Sequence, residues 1–248
     1  MNSCMLVTGA SRGIGAATAE LAAARGYTVA VNYVHDATAA AAVCARIVAA
    51  GGEAFALQAD VADETQVLAM FAALDARGMP LAAVVNNAGV VGTIEPFSNY
   101  TAARIRRTFE TNIVGAFLVA REAVKRMSTA HGGAGGAIVN LSSAAARIGS
   151  PNEFIDYAAS KGAIDSMTLG LAKEFATHGI RVNAVRPGLI DTEIHASAGA
   201  PDRVQQFTPM IPMRRAGSAE EVARAIMWLL SDEASYVTGS FIDVSGGR

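Results

Sequence analysis

The sequence predicts an α/β fold, with a parallel sheet covered by helices on both faces, because short β-rich runs alternate with Ala-rich helical stretches. Seven strands are expected, near residues 4–8, 28–33, 54–59, 81–86, 136–142, 180–186 and 239–244. Helices are expected between them, near residues 13–25, 37–50, 64–77, 100–127, 154–178 and 218–231. No linker, low-complexity tract or repeat divides the chain, so we expect residues 1–248 to form one domain.

Composition and charge argue against several classes of protein. The net charge of −2 gives no general attraction to nucleic acid or to an anionic membrane. No apolar run approaches the length of a membrane span, and the first residues lack the basic leader and long apolar region of a signal peptide. Cys4 and Cys44 are too few for a disulfide framework, so a reducing cytoplasm is the expected location.

The first expected strand leads through a glycine-rich loop, TGASRGIG at 8–15, into a helix. Glycine lets the backbone turn tightly and approach a ligand, and a helix N-terminus offers free amides and a positive dipole to a phosphate. The spacing is G-x-x-x-G-x-G rather than G-x-G-x-x-G, but the strand–loop–helix context is the required one. We therefore predict a Rossmann-type dinucleotide site formed by Gly9, Ser11, Arg12, Gly13, Ile14 and Gly15.

The end of the second strand bears on the choice of cofactor. A carboxylate there would hold the ribose hydroxyls of NAD and repel a 2′-phosphate, but the residues present are Asn32 and Tyr33. Arg12 matches the geometry of a phosphate, whereas His35 and Asp36 just beyond the strand weaken that argument. We predict that NADP(H) is preferred and that NAD(H) use is possible, the alternative for Arg12 being a solvated loop cation.

Two further strand ends carry polar groups at the edge where α/β sheets bind ligands. Asp60 and Val61 close the third strand, where a carboxylate and a backbone amide could bond an adenine edge. The alternative is that Asp60 only caps the helix that begins near Asp63. Asn87, Ala88 and Gly89 follow the fourth strand and suit either a turn or the floor of the binding crevice.

Tyr157 and Lys161 form the candidate reactive pair. They lie four residues apart in a stretch whose apolar residues recur at helical spacing, so the phenol and the ammonium should be neighbours. A nearby cation favours the phenolate and would lower the pKa of the Tyr157 phenol. Such a phenol can pass a proton to and from an alcohol or carbonyl oxygen near neutral pH. The alternative is a half-exposed Tyr157 above a solvated Lys161.

Residues 188–217 interrupt the alternation of strands and helices, and three prolines fall within them. Long irregular stretches in compact domains are often lids or binding loops, so we expect this segment to select the substrate. The charges in this segment form no pattern that would indicate a substrate. Its candidate substrate contacts are Ile194, His195, Phe207, Met210 and Met213.

Together these motifs resemble the short-chain dehydrogenase/reductase family over essentially the whole chain. The matching segments are TGASRGIG at 8–15, DV at 60–61, NNAG at 86–89, Asn112 in a long helix, LSS at 141–143, YAASK at 157–161, RPG at 186–188 and TGSFIDVSGG at 238–247. The likeness is greatest to NADP-dependent carbonyl reductases of the 3-oxoacyl and sugar-dehydrogenase-like kind. It implies hydride transfer between NADP(H) and a carbonyl/secondary-alcohol pair.

The resemblance also implies a role for each site residue. Tyr157 would be the general acid in ketone reduction and the base in alcohol oxidation. Lys161 would lower the pKa of Tyr157 and hold the nicotinamide ribose, and Asn112 would brace Lys161 through a water. Ser143 would hydrogen-bond the substrate oxygen. The residues that would cradle the nicotinamide are Pro187, Gly188, Ile190 and Thr192.

Ser142 and Ser143 are rivals for the contact with the substrate oxygen. Alternation in a strand points them to opposite sides, so only one can face Tyr157. Ser143 lies fourteen residues before Tyr157, one more than is common in related reductases, and the intervening loop is expected to absorb the extra residue. We predict Ser143, with Ser142 as the alternative.

The basic residues of the long helix at 100–127 have two interpretations. Arg104, Arg106, Arg107, Arg121 and Arg126 form either a solvated face or a subunit interface, since members of the family usually assemble into dimers or tetramers. A homo-oligomer, with a tetramer as its expected form, is therefore predicted. Arginines docking an acyl carrier protein would lie near the ends of the two long helices, where this chain places His131 and His178. This placement argues against an acyl-carrier substrate, and a 3-oxoacyl-[acyl-carrier-protein] reductase is kept as the alternative function.

Two other functions remain as rivals. A non-catalytic NADP-binding regulator on the same fold would be expected to have lost Tyr157, Lys161 or Ser143, and all three are present. An enoyl reductase typically spaces its Tyr and Lys more widely. The histidines show no metal-ligand spacing, so no metal is predicted, and Trp228 is expected in the core or an interface.

Overall fold

The computed structural model describes residues 3–193 and 199–248. Seven parallel strands form a single sheet in the order β3-β2-β1-β4-β5-β6-β7. Their bounds are β1 Cys4–Val7, β2 Thr28–Tyr33, β3 Glu53–Gln58, β4 Leu81–Asn86, β5 Gly136–Leu141, β6 Ile180–Pro187 and β7 Phe241–Val244. The strand order reverses beside β1, whose neighbours are β2 and β4, and such a switch point opens a crevice at the carboxyl ends of the strands. The predicted doubly wound fold is confirmed.

Helices cover both faces of this sheet. Their bounds are α1 Gly13–Ala24, α2 Ala37–Ala49, α3 Glu64–Asp75, α4 Ala102–Phe109, α5 Gly115–Met127, α6 Ala145–Ile148, α7 Ile155–Phe175, α8 Arg203–Phe207 and α9 Ala219–Leu230. Alternate side chains of each strand enter opposite layers. In β1, Met5 and Val7 pack with α1, α2 and α9, whereas Cys4 and Leu6 pack with α3, α5 and α7. The two apolar cores support the sheet from both faces beneath the crevice.

The helix predicted at 100–127 is interrupted by one π-helical turn, Glu110–Val114, between α4 and α5. The turn contains Asn112, whose side chain is buried and hydrogen-bonded to the backbone of Val90. Such π-bulges are frequent at functional sites because they redirect one side chain without ending the helix. The sequence carries no signal for the extra residue in this turn.

Helix caps account for two acidic residues near the crevice. Asp36 accepts a hydrogen bond from the Ala39 amide and caps α2, and Asp63 accepts one from the Gln66 amide and caps α3. Asp60 therefore does not cap α3. Its carboxylate accepts from the Ala62 amide in the turn after β3.

The segment at 188–217 is more regular than expected. It contains α8 and a 3₁₀ turn, Thr208–Met210, and an isolated parallel bridge joins Ile190 to Gly217. The predicted contacts Ile194 and His195 lie outside the described residues. Across the part of the chain that the structure describes, no helix combines the length and apolarity needed to cross a bilayer.

Candidate active site

A cleft of about 1110 Å³ runs along the carboxyl ends of the strands. Most of the residues singled out in the sequence line it: Gly9, Ser11, Arg12, Gly13, Ile14, Gly15, Tyr33, Asp60, Val61, Asn87, Ala88, Gly89, Ser143, Tyr157, Lys161, Pro187, Gly188, Ile190 and Thr192. Asn32 and Asn112 lie behind its wall rather than in it. The fold thus brings together residues from the ends of six strands that are far apart in the chain.

The glycine loop lies flat against the end of β4. A Cβ atom at Gly9, where φ is +61°, would be 2.9 Å from the Ala88 Cα. A Cβ atom at Gly15 would be 2.6 Å from both the Gly9 carbonyl oxygen and the Asn87 Nδ2. The Asn87 amide donates to the carbonyls of Thr8 and Gly9, at 2.8 and 3.1 Å. Asn87 therefore fixes the loop, and glycine is required at both positions.

The N-terminus of α1 faces the cleft without a side-chain cap. Arg12 precedes the helix in an extended conformation and makes no capping hydrogen bond, and the first turn carries no acidic residue. The first amides of α1 and the positive end of its helix dipole are therefore free to bind an anionic group. Both stabilise a phosphate at this position. Thr192 lies across this loop, since a Cβ atom at Gly13 would be 3.5 Å from its methyl carbon. The donor set fits the pyrophosphate of a dinucleotide.

Asn32 has a different place from the one predicted. Its side chain is fully buried, accepts from the Gly9 amide at 3.1 Å, and donates to the carbonyls of Leu57 and Ala59. These bonds use the whole amide group to join β2, β3 and the glycine loop. The structure therefore places the Asn32 side chain behind the cleft wall, whereas Tyr33 is the residue of this strand end that lines the cleft.

The two serines after β5 point in opposite directions. The Ser143 hydroxyl lies beside the Tyr157 phenol and acts to lower its pKa, and it accepts a hydrogen bond from the Ala145 amide at 3.1 Å. The buried Ser142 hydroxyl instead donates to the backbone carbonyl of Lys161 at 3.2 Å. The structure places Ser143 in the cleft beside Tyr157, and Ser142 fastens α7 to β5.

The side chains of Lys161 and Asn112 both come close to the backbone of Gly89. The buried Lys161 ammonium donates to the Leu141 carbonyl at 2.6 Å, and its Nζ lies 5.5 Å from the centre of the Tyr157 ring. A Cβ atom at Gly89 would be 3.3 Å from the Asn112 Oδ1 and 3.6 Å from the Lys161 Nζ. The Asn112 amide bonds the Val90 backbone and the Ser160 hydroxyl. These hydrogen bonds of Asn112 thus hold the wall next to Lys161.

The expected lowering of the Tyr157 pKa is not found. Burial raises the pKa of the phenol above its usual value, and the hydrogen bond with Ser143 opposes this only in part. Burial also lowers the pKa of Lys161 to about 8, against the attraction of Asp165. Desolvation is the largest influence on the phenol, and the Lys161 ammonium, 5.5 Å from the ring centre, does not offset it. At neutral pH Tyr157 is therefore a protonated donor.

Arg104 is the main departure from the predicted solvated arginine face. Its side chain is only 10% exposed, and it forms ion pairs with Glu95 and with the buried Asp156. Arg121 and Arg126 both pair with the buried Glu122 on their own helix, and Arg106 and Arg107 are exposed as predicted. No short-range sequence pattern predicts the Arg104–Asp156 ion pair, because the two residues are 52 positions apart in the chain.

Within the described part of the chain, the histidines and acidic residues form no metal centre. Among residues 3–193 and 199–248, no group of three or more His, Cys, Asp or Glu side chains is placed to hold a metal ion. His178 bonds Ser128 through its Nδ1 and packs edge-on against Phe175, and His131 is exposed. Trp228 is partly exposed on α9, at the surface rather than in the core.

A doubly wound sheet with a glycine loop at its switch point, and a Ser–Tyr–Lys cluster in the same cleft, defines the class of dinucleotide-dependent dehydrogenases and reductases. Residues 9–248 match the family model described as "Enoyl-(Acyl carrier protein) reductase". The chain is 62% identical over 243 residues to "Uncharacterized oxidoreductase YgfF" of Escherichia coli, and the match covers 98% of each protein.

Two further comparisons also match the chain to reductases or dehydrogenases. The chain is 36% identical over 252 residues to "3-oxoacyl-[acyl-carrier-protein] reductase FabG" of Staphylococcus aureus, covering 100% of this chain and 98% of that one. A solved short-chain type dehydrogenase/reductase from Mycobacterium marinum superposes with a TM-score of 0.92 at 34% identity, covering 99% and 94% of the two chains. The chain therefore belongs to the short-chain dehydrogenase/reductase family, whose members use NAD(H) or NADP(H), and it is an oxidoreductase.

Proposed function

We propose that this enzyme transfers a hydride between NADP(H) and a carbonyl/secondary-alcohol substrate, with Tyr157 as the general acid and base. The observation that carries the proposal is the contact of Tyr157 with Ser143 and Lys161 in the cleft that also contains the glycine loop. A proton donor, a second hydrogen-bond donor and a cation converge there on one space. That arrangement suits a carbonyl oxygen that gains negative charge as it is reduced.

In the reducing direction Tyr157 donates its phenol proton to the carbonyl oxygen, which becomes the hydroxyl of the product. The nicotinamide, when bound, supplies the hydride to the carbonyl carbon. Ser143 donates a hydrogen bond to the same oxygen and holds it at the phenol. The Lys161 ammonium, below the Tyr157 ring, stabilises the phenolate left behind. In the oxidising direction the phenolate accepts the alcohol proton and the same contacts act in reverse.

A preference for NADP(H) rests on the charges at the end of β2. The cleft there is lined by Tyr33, His35 and Asp36, and by Arg12 from the glycine loop. Asp36 is engaged as the cap of α2, whereas no ion pair to Arg12 occurs among the residues that the structure describes. A 2′-phosphate would meet the Arg12 guanidinium, which matches phosphate geometry.

The substrate is proposed as a small carbonyl compound or the matching alcohol. The Staphylococcus aureus relative is named a 3-oxoacyl-[acyl-carrier-protein] reductase, and this is the second candidate function. Against it, His131 and His178 stand at the helix ends where a carrier protein would need arginines. Reduction of an enoyl group, which the name of the family model suggests, is less favoured because Tyr157 and Lys161 lie only four residues apart.

Assembly and location complete the proposal. Exposed apolar side chains on α5 and α7, Phe117 and Leu169, support a dimer or tetramer, with a homotetramer as the expected form. Both cysteines, Cys4 and Cys44, are free thiols, which supports a cytoplasmic location. Light scattering on a sizing column would measure the number of subunits.

The test is the decay of NADPH and NADH absorbance with a panel of ketones, 3-oxoacyl thioesters and sugar lactones, for wild type beside Tyr157→Phe. NADPH-dependent turnover that vanishes in the variant is the expected result. Faster turnover with NADH would overturn the cofactor preference. If NADPH binds, no carbonyl compound on the panel is reduced and no matching alcohol is oxidised with NADP⁺, the non-catalytic binding protein becomes the better explanation.

A further inference from the structure

The helix that carries Tyr157 begins without a cap of its own. Phe154 occupies the capping position of α7 and makes no side-chain hydrogen bond to the helix. The first amides of a helix have no partner within it, so they need acceptors from elsewhere. The Ile155 amide donates to the Tyr100 hydroxyl at 3.1 Å, and the Tyr157 amide donates to the Asp156 carboxylate at 2.9 Å. Tyr100 lies outside the helix and Asp156 belongs to its first turn, so the position of that turn depends on what holds these two side chains.

Asp156 is fixed in turn by α4. Its carboxylate is buried and accepts two hydrogen bonds from the Arg104 guanidinium, at 2.9 and 3.1 Å, and one from the Thr108 hydroxyl at 3.2 Å. Burial alone would raise the pKa of Asp156, but Arg104 and the Tyr157 amide lower it, so the carboxylate stays charged. A two-pronged ion pair of this kind constrains direction as well as distance.

The same guanidinium holds the cleft wall formed by residues 90–95. Arg104 donates to the Thr93 carbonyl at 2.7 Å and pairs with Glu95. Gly92 lies flat on it, since a Cβ atom at Gly92 would be 2.7 Å from the Arg104 Nε. The other face of the guanidinium stacks on the Tyr100 ring at 3.7 Å. One side chain thus joins the cleft wall to the first turn of α7.

We propose that Arg104, acting through Asp156, is a positioning residue for Tyr157. The ion pair sets the first turn of α7 against the wall at residues 90–95, and so sets the distance between the phenol and a carbonyl oxygen held in the cleft. This inference rests on the proposed function for its kinetic consequence. Its structural consequence, the order of the first turn of α7, stands independently.

The kinetic test uses Arg104→Lys and Asp156→Asn, with Arg106→Lys as the matched control on the exposed face of α4. Lysine keeps the charge of Arg104 but cannot form the two-pronged pair. A displacement of about 1 Å can cost about 10²-fold in rate, so kcat should fall by about 10- to 100-fold in both variants. The dissociation constant of NADPH should stay within about twofold of wild type, because the glycine loop is untouched. The control should match wild type in both quantities.

Gly92→Ala separates position from charge. The new methyl group would displace the guanidinium while every ionisable group remains, so kcat should fall as in Arg104→Lys. Hydrogen exchange then measures the structural effect. In Arg104→Lys and in Gly92→Ala, the amides of Ile155 and Tyr157 should lose protection, whereas the amides of β4 and β5 should keep it.

Three outcomes would overturn the inference: an unchanged kcat in Arg104→Lys and Gly92→Ala, a loss of protection spread equally over the sheet, or unaltered exchange at Ile155 and Tyr157. If wild type itself reduces no carbonyl compound, the proposed function fails instead. The exchange measurement still decides whether Arg104 orders the first turn of α7, so the two failures are distinguishable.

Discussion

The Lys161 ammonium lies against the face of the Tyr157 ring, 5.5 Å from its centre, and donates its hydrogen bond to the Leu141 carbonyl. The cation is therefore anchored to β5 while it faces the Tyr157 ring. Burial moves the two pKa values in opposite directions, raising that of Tyr157 and lowering that of Lys161 to about 8. The proton donor is therefore protonated and the cation still charged at neutral pH.

The pH dependence of turnover should follow from this pair. Reduction needs a protonated Tyr157 and a charged Lys161, and Lys161 loses its charge first because its pKa is about 8. We therefore expect kcat for ketone reduction to be constant below about pH 7 and to fall as the pH rises through about 8. In Lys161→Met the residual rate should lack this step. A wild-type profile that is flat up to pH 10 would contradict the prediction.

Ser143→Ala and Ser142→Ala should separate catalysis from stability. Removing Ser143 takes away a donor to the substrate oxygen, which typically costs about 10²- to 10³-fold in kcat. Removing Ser142 breaks a buried hydrogen bond to the Lys161 carbonyl and should lower the free energy of unfolding by about 1–3 kcal/mol. Steady-state kinetics and urea unfolding of both variants measure the difference, and equal losses of kcat would undo the assignment of Ser143.

Replacement of Arg12 tests the cofactor preference. In Arg12→Gln the KM for NADPH should rise about tenfold, which corresponds to about 1.4 kcal/mol of lost interaction with the 2′-phosphate. The KM for NADH should change little, since that cofactor lacks the phosphate. Arg106→Gln serves as the control for the loss of one surface cation. A parallel rise in both KM values would mean that Arg12 acts on the glycine loop itself.

The strands were predictable from the sequence to within a residue or two at most ends, because each is a short β-rich run bounded by polar or glycine residues. The glycine loop and the Tyr157–Lys161 pair were equally predictable from the sequence, since local spacing defines both. The hydrogen bonds of Asn32 and Arg104 were not predictable. Each depends on partners more than twenty residues away, which only the packed sheet brings together.

Asn32 gives the corresponding test of a structural role. Its fully buried side-chain amide pairs with the Gly9 amide, the Leu57 carbonyl of β3 and the Ala59 carbonyl just after β3, so Asn32→Ala leaves buried polar groups without partners. We expect the free energy of unfolding to fall by about 2–3 kcal/mol, measured by urea unfolding without cofactor. The glycine loop should loosen as well, so the affinities for NADPH and NADH should fall by the same factor. The ratio of the two affinities should stay at the wild-type value, because Asn32 faces away from the cleft. A change in that ratio alone, at unaltered stability, would return Asn32 to the cofactor site.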